Sequence, residues 1–106
     1  MYFYFIPISL VSAQSISFEQ QVLPILLNKC SECHGDENPE VRLIVVNYEE
    51  LMQGSEFGIV VNPGDPASSY MIEMITLGEM PQDGEPVTDE ELSLIEAWIE
   101  EGALNN

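Results

Sequence analysis

Two cysteines and the chain's single histidine lie together in the run Cys30-Ser31-Glu32-Cys33-His34. The spacing C-x-x-C-H is the attachment motif for c-type haem. Two thiols at this spacing lie on one side of a helical turn, so that each can bond one haem vinyl group. The adjacent His34 can then supply the proximal ligand of the iron. The sequence therefore predicts one covalently bound haem c, with Cys30 and Cys33 as its anchors.

The same three residues fit other kinds of site less well. A structural zinc site usually takes four Cys or His ligands, and the chain has no second pair to supply them. A thioredoxin-like redox pair belongs to a βαβ context, which the sequence does not indicate. A plain disulfide between the two cysteines stays open, because such bonds form in exported proteins.

The single histidine also restricts the sixth iron ligand, because bis-histidine ligation within the chain is impossible. The remaining choices are methionine, a weaker group, water or an open position. Met80 follows a helix stop in Gly78-Glu79-Met80-Pro81, where a loop can bend a thioether over the haem face. We predict Met80 as the sixth ligand, with Met74 next. Met52, Met71 and Met74 are expected to fill gaps in the core.

The composition is strongly acidic, with 19 Asp and Glu against 2 Lys and Arg and a formal charge of −17. Nucleic acid is excluded as a partner, because phosphate binding needs clustered basic residues. The charge favours a soluble surface and steering toward redox partner proteins with a basic docking surface. A hydrolase or transferase is not indicated, because the only histidine is committed to iron and no nucleophile has a base.

Residues 1–13 have the pattern of a signal peptide, which leaves residues 14–106 as the haem domain. An apolar run precedes Val11-Ser12-Ala13, a small-residue cleavage pattern. The run is too short to span a membrane. We therefore expect an exported, periplasmic or otherwise extracytoplasmic protein, which meets a membrane only through a retained N-terminus or a partner.

Helical patterns and end signals predict four helices, at 17–29, 48–53, 65–77 and 88–102. Ser17 and Gln20 form a capping box for the first helix, and Thr88 and Glu91 form one for the last. Asn47 and Gly54 bound the second helix. The fold class is thus a small all-α domain of about four helices, with long loops wrapped around one haem.

An ordered set of short motifs resembles the small c-type cytochrome domains often called planctomycete-type. The resemblance covers about residues 18–106. Its order is more specific than C-x-x-C-H, which all c-type cytochromes share. The motifs are Pro24-Ile25-Leu26, Cys-Ser-Glu-Cys-His-Gly at 30–35, Leu51-Met52-Gln53-Gly54, Val-Asn-Pro-Gly-Asp-Pro-Ala-Ser-Ser at 61–69, Met80-Pro81 and Ile-Glu-Ala-Trp-Ile-Glu-Glu-Gly-Ala at 95–103.

The resemblance implies a cytochrome c-like fold whose haem has His and Met as axial ligands. Carried onto this chain, Cys30 and Cys33 anchor the haem, His34 is the proximal ligand and Met80 the distal one. The implied function is single-electron transfer between redox partners, without substrate turnover. Two alternatives stay open, namely a haem-based ligand-binding or sensory domain and the electron-relay subunit of a larger oxidoreductase.

Overall fold

A computed structural model describes residues 15–35, 37, 39–82 and 84–106, and within them the chain forms helices and loops without a strand. The predicted signal peptide, residues 1–13, lies outside the described residues. The prediction of an all-α fold is confirmed. In these described ranges five α-helices follow one another, which we number α1 (Leu23–Lys29), α2 (Ser31–His34), α3 (Tyr48–Gln53), α4 (Tyr70–Thr76) and α5 (Asp89–Glu100).

The first helical segment begins at the predicted cap but with a wider turn than expected. The Ser17 hydroxyl accepts a hydrogen bond from the Gln20 amide at 3.0 Å. Phe18–Val22 then forms a π-helical turn before α1. Because this turn holds an extra residue, the Ser17 amide donates to the side chain of Gln21 at 2.8 Å. The predicted capping box with Gln20 is therefore wrong by one residue.

The third predicted helix divides at Ser69. Pro66–Ser68 forms one 3₁₀ turn, and α4 starts only at Tyr70. Ser69 has extended backbone angles and is almost fully buried. Its hydroxyl donates to the Asp65 carbonyl at 2.9 Å and accepts from the Asn62 amide at the same distance. These bonds compete with helical geometry and separate the two segments.

The other two predicted helices form as the sequence indicates. Asn47 caps α3 through its side chain and Gly54 ends that helix. Thr88 and Glu91 form both bonds of the capping box at the start of α5. End signals of this kind are local, because they satisfy backbone donors within a few residues.

The aromatic part of the core fastens the C-terminal segment to the start of the chain. Trp98 of α5 is fully buried, and the centroid of its ring lies 5.2 Å from the centroid of the Phe18 ring. The indole N–H donates to the Leu104 carbonyl at 2.9 Å. The Tyr48 hydroxyl donates to the Ala103 carbonyl at 2.8 Å. This packing holds α5 across the first helical segment and α3.

Among the described residues, no helix combines the length and the apolarity that crossing a membrane would require.

Candidate functional site

An apolar cavity of about 530 Å³ lies beside the Cys-x-x-Cys-His turn. Its volume and lining are typical of a site for a sizeable organic ligand. Three segments of the chain contribute to its wall, namely the turn itself, the loops between α2 and α4, and α4 with the loop that follows. The lining residues are Cys30, His34, Val41, Leu43, Val45, Ser55, Phe57, Gly58, Ile59, Val60, Tyr70, Met71, Met74, Ile75 and Met80.

One short helix presents the motif to the cavity. Cys30 ends α1, and α2 carries the chain through a single turn to His34. Gly35 must lack a side chain, because a Cβ there would lie 2.7 Å from the Ser31 carbonyl oxygen. The His34 carbonyl accepts a hydrogen bond from the Val45 amide at 2.9 Å. This bond joins the motif to the extended segment that forms the next part of the wall.

The two cysteines are free thiols in different surroundings. Cys30 is partly buried and lines the cavity, whereas Cys33 is exposed and is not among the lining residues. Burial, followed by the negative charges of Cys33 and Glu91, raises the pKa of the Cys30 thiol to about 11. An apolar environment of this kind disfavours the thiolate. The disulfide alternative is not what the structure holds.

Three thioethers line the cavity. Met71 and Met74 belong to α4, and Met80 lies in the loop after it. The amides of Glu79 and Met80 both donate to the Met74 carbonyl, at 2.9 and 3.2 Å. The chain therefore turns back over the end of α4 and carries Met80 to the wall. Met52, by contrast, packs on the core away from the cavity.

The remaining wall comes from two loops that contact one another. Ser55 and Gly58 form an isolated bridge with Phe57 near its tip, and the Glu56 amide donates to the Val41 carbonyl at 2.8 Å. Neither loop was predicted from the sequence to belong to the site. A signal was present in Phe57 and Ile59, two large apolar residues in a segment that has no helical pattern.

The residues around the cavity fit a covalently attached haem. His34 is 8% exposed, and its Nδ1 atom is buried and has no hydrogen-bond partner among the described residues. Such an unpaired nitrogen is costly unless the ring serves a further purpose. The wall offers one thiol, one imidazole and three soft thioethers among apolar side chains, and the second thiol of the motif, Cys33, lies three residues from Cys30. This donor set suits haem iron and its macrocycle.

The fold and this cavity define a c-type cytochrome domain. Residues 30–84, more than half of the chain, match the family described as Planctomycete cytochrome C. The chain belongs to that family and carries one covalently bound haem c through the Cys30-x-x-Cys33-His34 motif. Searches of the curated proteins and of the solved structures found no match.

Proposed function

We propose that this cytochrome carries single electrons between redox partner proteins outside the cytoplasm, with His34 and Met80 as the axial ligands of its haem iron. One observation carries the proposal. Met80, which is 46 residues from His34 in sequence, lines the same apolar cavity as His34 and Cys30 of the attachment motif. When bound, the haem supplies a one-electron couple at its iron.

The residues of the chain have separate parts in this proposal. His34 supplies an imidazole from the motif side, and Met80 supplies a thioether from a loop pinned to the end of α4. With His34 and Met80 both bound to the iron, a change of oxidation state would need little rearrangement, and the methionine would raise the reduction potential. The apolar wall keeps water from the metal, while the acidic chain lowers the potential somewhat. We infer that the domain turns over no substrate of its own.

Charge around the cavity supports a partner with a basic docking surface. Four exposed glutamates are each adjacent in sequence to a residue that lines the cavity. They are Glu40, Glu56, Glu73 and Glu79. Two cations are also neighbours of lining residues, but only Arg42 is exposed, because the Lys29 side chain is enclosed. This acidic rim would steer a basic protein toward the haem and would weaken with salt. We expect the rate of electron exchange with a basic redox protein to fall as ionic strength rises.

The axial ligands can be tested with matched methionine variants. Wild type, Met80→Ala, Met74→Ala and Met71→Ala would be produced with covalent haem, and the sulfur-to-iron absorption band of the oxidised protein recorded. The proposal expects the band in wild type and its loss only in Met80→Ala. Loss in Met74→Ala alone would move the ligand to α4.

Carbon monoxide provides the test against a sensory function. A carrier whose sixth position is filled binds the gas slowly in its reduced form, and Met80→Ala binds it faster because that position is open. Rapid binding by wild type, together with no sulfur band, would overturn the carrier proposal and favour a ligand-binding domain.

A further inference from the structure

Lys29 is the only lysine of the chain, and its ammonium group is enclosed by three acceptors. Its side chain is 6% exposed. The Nζ atom donates to the Pro86 carbonyl at 2.9 Å, and it lies 3.5 Å from Glu85 Oε1 and 3.5 Å from Glu91 Oε1. A lysine with this little exposure is uncommon, and it needs partners for its charge.

These contacts join three parts of the molecule. Lys29 immediately precedes Cys30, Glu91 lies in the first turn of α5, and Glu85 and Pro86 belong to the loop between α4 and α5. That loop also carries Met80. The start of the loop is held by hydrogen bonds from the Glu79 and Met80 amides to the Met74 carbonyl of α4.

The rear of the loop depends on Lys29. Within the part of the chain that the structure describes, the hydrogen bonds that reach residues 81–87 all come from the Lys29 ammonium. Most side chains of this stretch are exposed, so packing contributes little. A loop with few buried contacts opens easily. Hydrogen bonds from a charged donor are about twice as strong as neutral ones and therefore matter here.

We propose that Lys29 is a positioning residue. It fastens the loop after Met80 to the end of α1, next to the haem anchor Cys30, and so keeps the Met80 thioether at the cavity. The inference rests on the proposed function, because it takes Met80 as the sixth ligand. Lys29 does not contact the iron. It lowers the population in which the loop, and Met80 with it, moves away from the cavity.

The test compares three holoprotein variants that separate the contact from its charge. Lys29→Gln removes the ammonium. Glu91→Gln removes an acceptor charge but keeps the capping box, since Gln also accepts the bond from the Thr88 amide. Arg42→Gln removes the chain's only other positive charge, at an exposed position. The sulfur-to-iron band, the reduction potential and the carbon monoxide association rate of each variant would be measured.

We expect Lys29→Gln to weaken the sulfur-to-iron band and to raise the carbon monoxide association rate about tenfold. Loss of a charge-assisted contact of about 1.4 kcal/mol shifts the equilibrium between the closed and the open loop by that factor. Glu91→Gln should change both quantities in the same direction by a smaller factor. Arg42→Gln should leave both unchanged. Far-UV circular dichroism and haem content verify that each variant is folded.

The direction of the potential distinguishes positioning from simple charge. A loosened methionine lowers the potential in both Lys29→Gln and Glu91→Gln. A purely electrostatic effect lowers it in the first and raises it in the second. Opposite shifts with an intact sulfur band would overturn the inference and leave the proposed function standing. A wild type without a sulfur band would instead refute Met80 ligation itself.

Discussion

Replacing Gly54 by alanine should distort the loop that forms one wall of the haem cavity. Gly54 ends α3 with φ 84° and ψ −162°, a combination open almost only to glycine. A Cβ at this position would overlap the Gly58 carbonyl oxygen and would lie 2.7 Å from the Cα of Ile59. Both contacts are with backbone, so a side-chain rotation cannot relieve them.

Two costs add at this site. The unfavourable backbone conformation accounts for about 1–3 kcal/mol, and forcing the Gly58–Ile59 backbone aside accounts for about 1–3 kcal/mol more. We therefore expect Gly54→Ala to lower the free energy of unfolding by about 4 kcal/mol. This is a large part of the stability of a small domain, which is typically about 5–15 kcal/mol.

Gly64 provides the control, because it has the same φ of 84° but no atom within 4 Å of where its Cβ would lie. Gly64→Ala should cost only about 1–2 kcal/mol. Guanidinium unfolding of the holoproteins, followed by far-UV circular dichroism, measures the difference. Equal losses in the two variants would refute the steric reasoning, because the close approach of Gly54 to the Gly58 backbone would then contribute nothing.

Two further predictions concern the core and the acid response. Trp98→Phe should lower the free energy of unfolding by about 2–3 kcal/mol, because it removes buried volume and the indole hydrogen bond. Tyr48→Phe removes only a hydroxyl bond and should cost about 1 kcal/mol, so equal denaturant midpoints for the two would contradict the packing account. The backbone bond from Thr88, followed by Lys29, lowers the pKa of Glu91 from its usual 4.5. A lowered folded-state pKa stabilises the protein above pH 4.5, and this stabilisation is lost as the pH falls through the folded value. Glu91→Gln should therefore flatten the decline in stability below pH 4.5, and an unchanged decline would count against it.

Local signals predicted those elements whose ends are satisfied within a few residues. Asn47 and Gly54 bound α3 as predicted, and Thr88 starts α5. The π-helical turn after Ser17 and the break at Ser69 were not predictable in the same way. The hydroxyl of Ser69 is buried, accepts a hydrogen bond from the Asn62 amide and donates one to the Asp65 carbonyl, and that arrangement exists only in the folded chain.

The candidate site also has one part that could be predicted from the sequence and one part that could not. The motif of Cys30, Cys33 and His34 is contiguous, so that the sequence alone specifies its haem chemistry. Much of the opposite wall is assembled from loops distant in sequence, and residues such as Val41 and Phe57 carry no periodic pattern that would mark them. Helical spacing placed Met71 and Met74 in the core, whereas both also line the cavity. The choice of Met80 over Met74 stays a prediction.

Because basic residues are scarce, the protein has unusually few sites at which trypsin could cleave. Trypsin cleaves after lysine and arginine, so the sequence offers it only the Lys29–Cys30 and Arg42–Leu43 bonds. The first bond adjoins the enclosed ammonium of Lys29. The second bond lies at the end of the 3₁₀ turn Glu40–Arg42, and the residues on either side of Arg42, Val41 and Leu43, line the cavity. Cleavage at the Lys29–Cys30 bond requires local unfolding of the haem site. Limited tryptic digestion therefore reports on haem loading and cofactor loss without any spectroscopic probe.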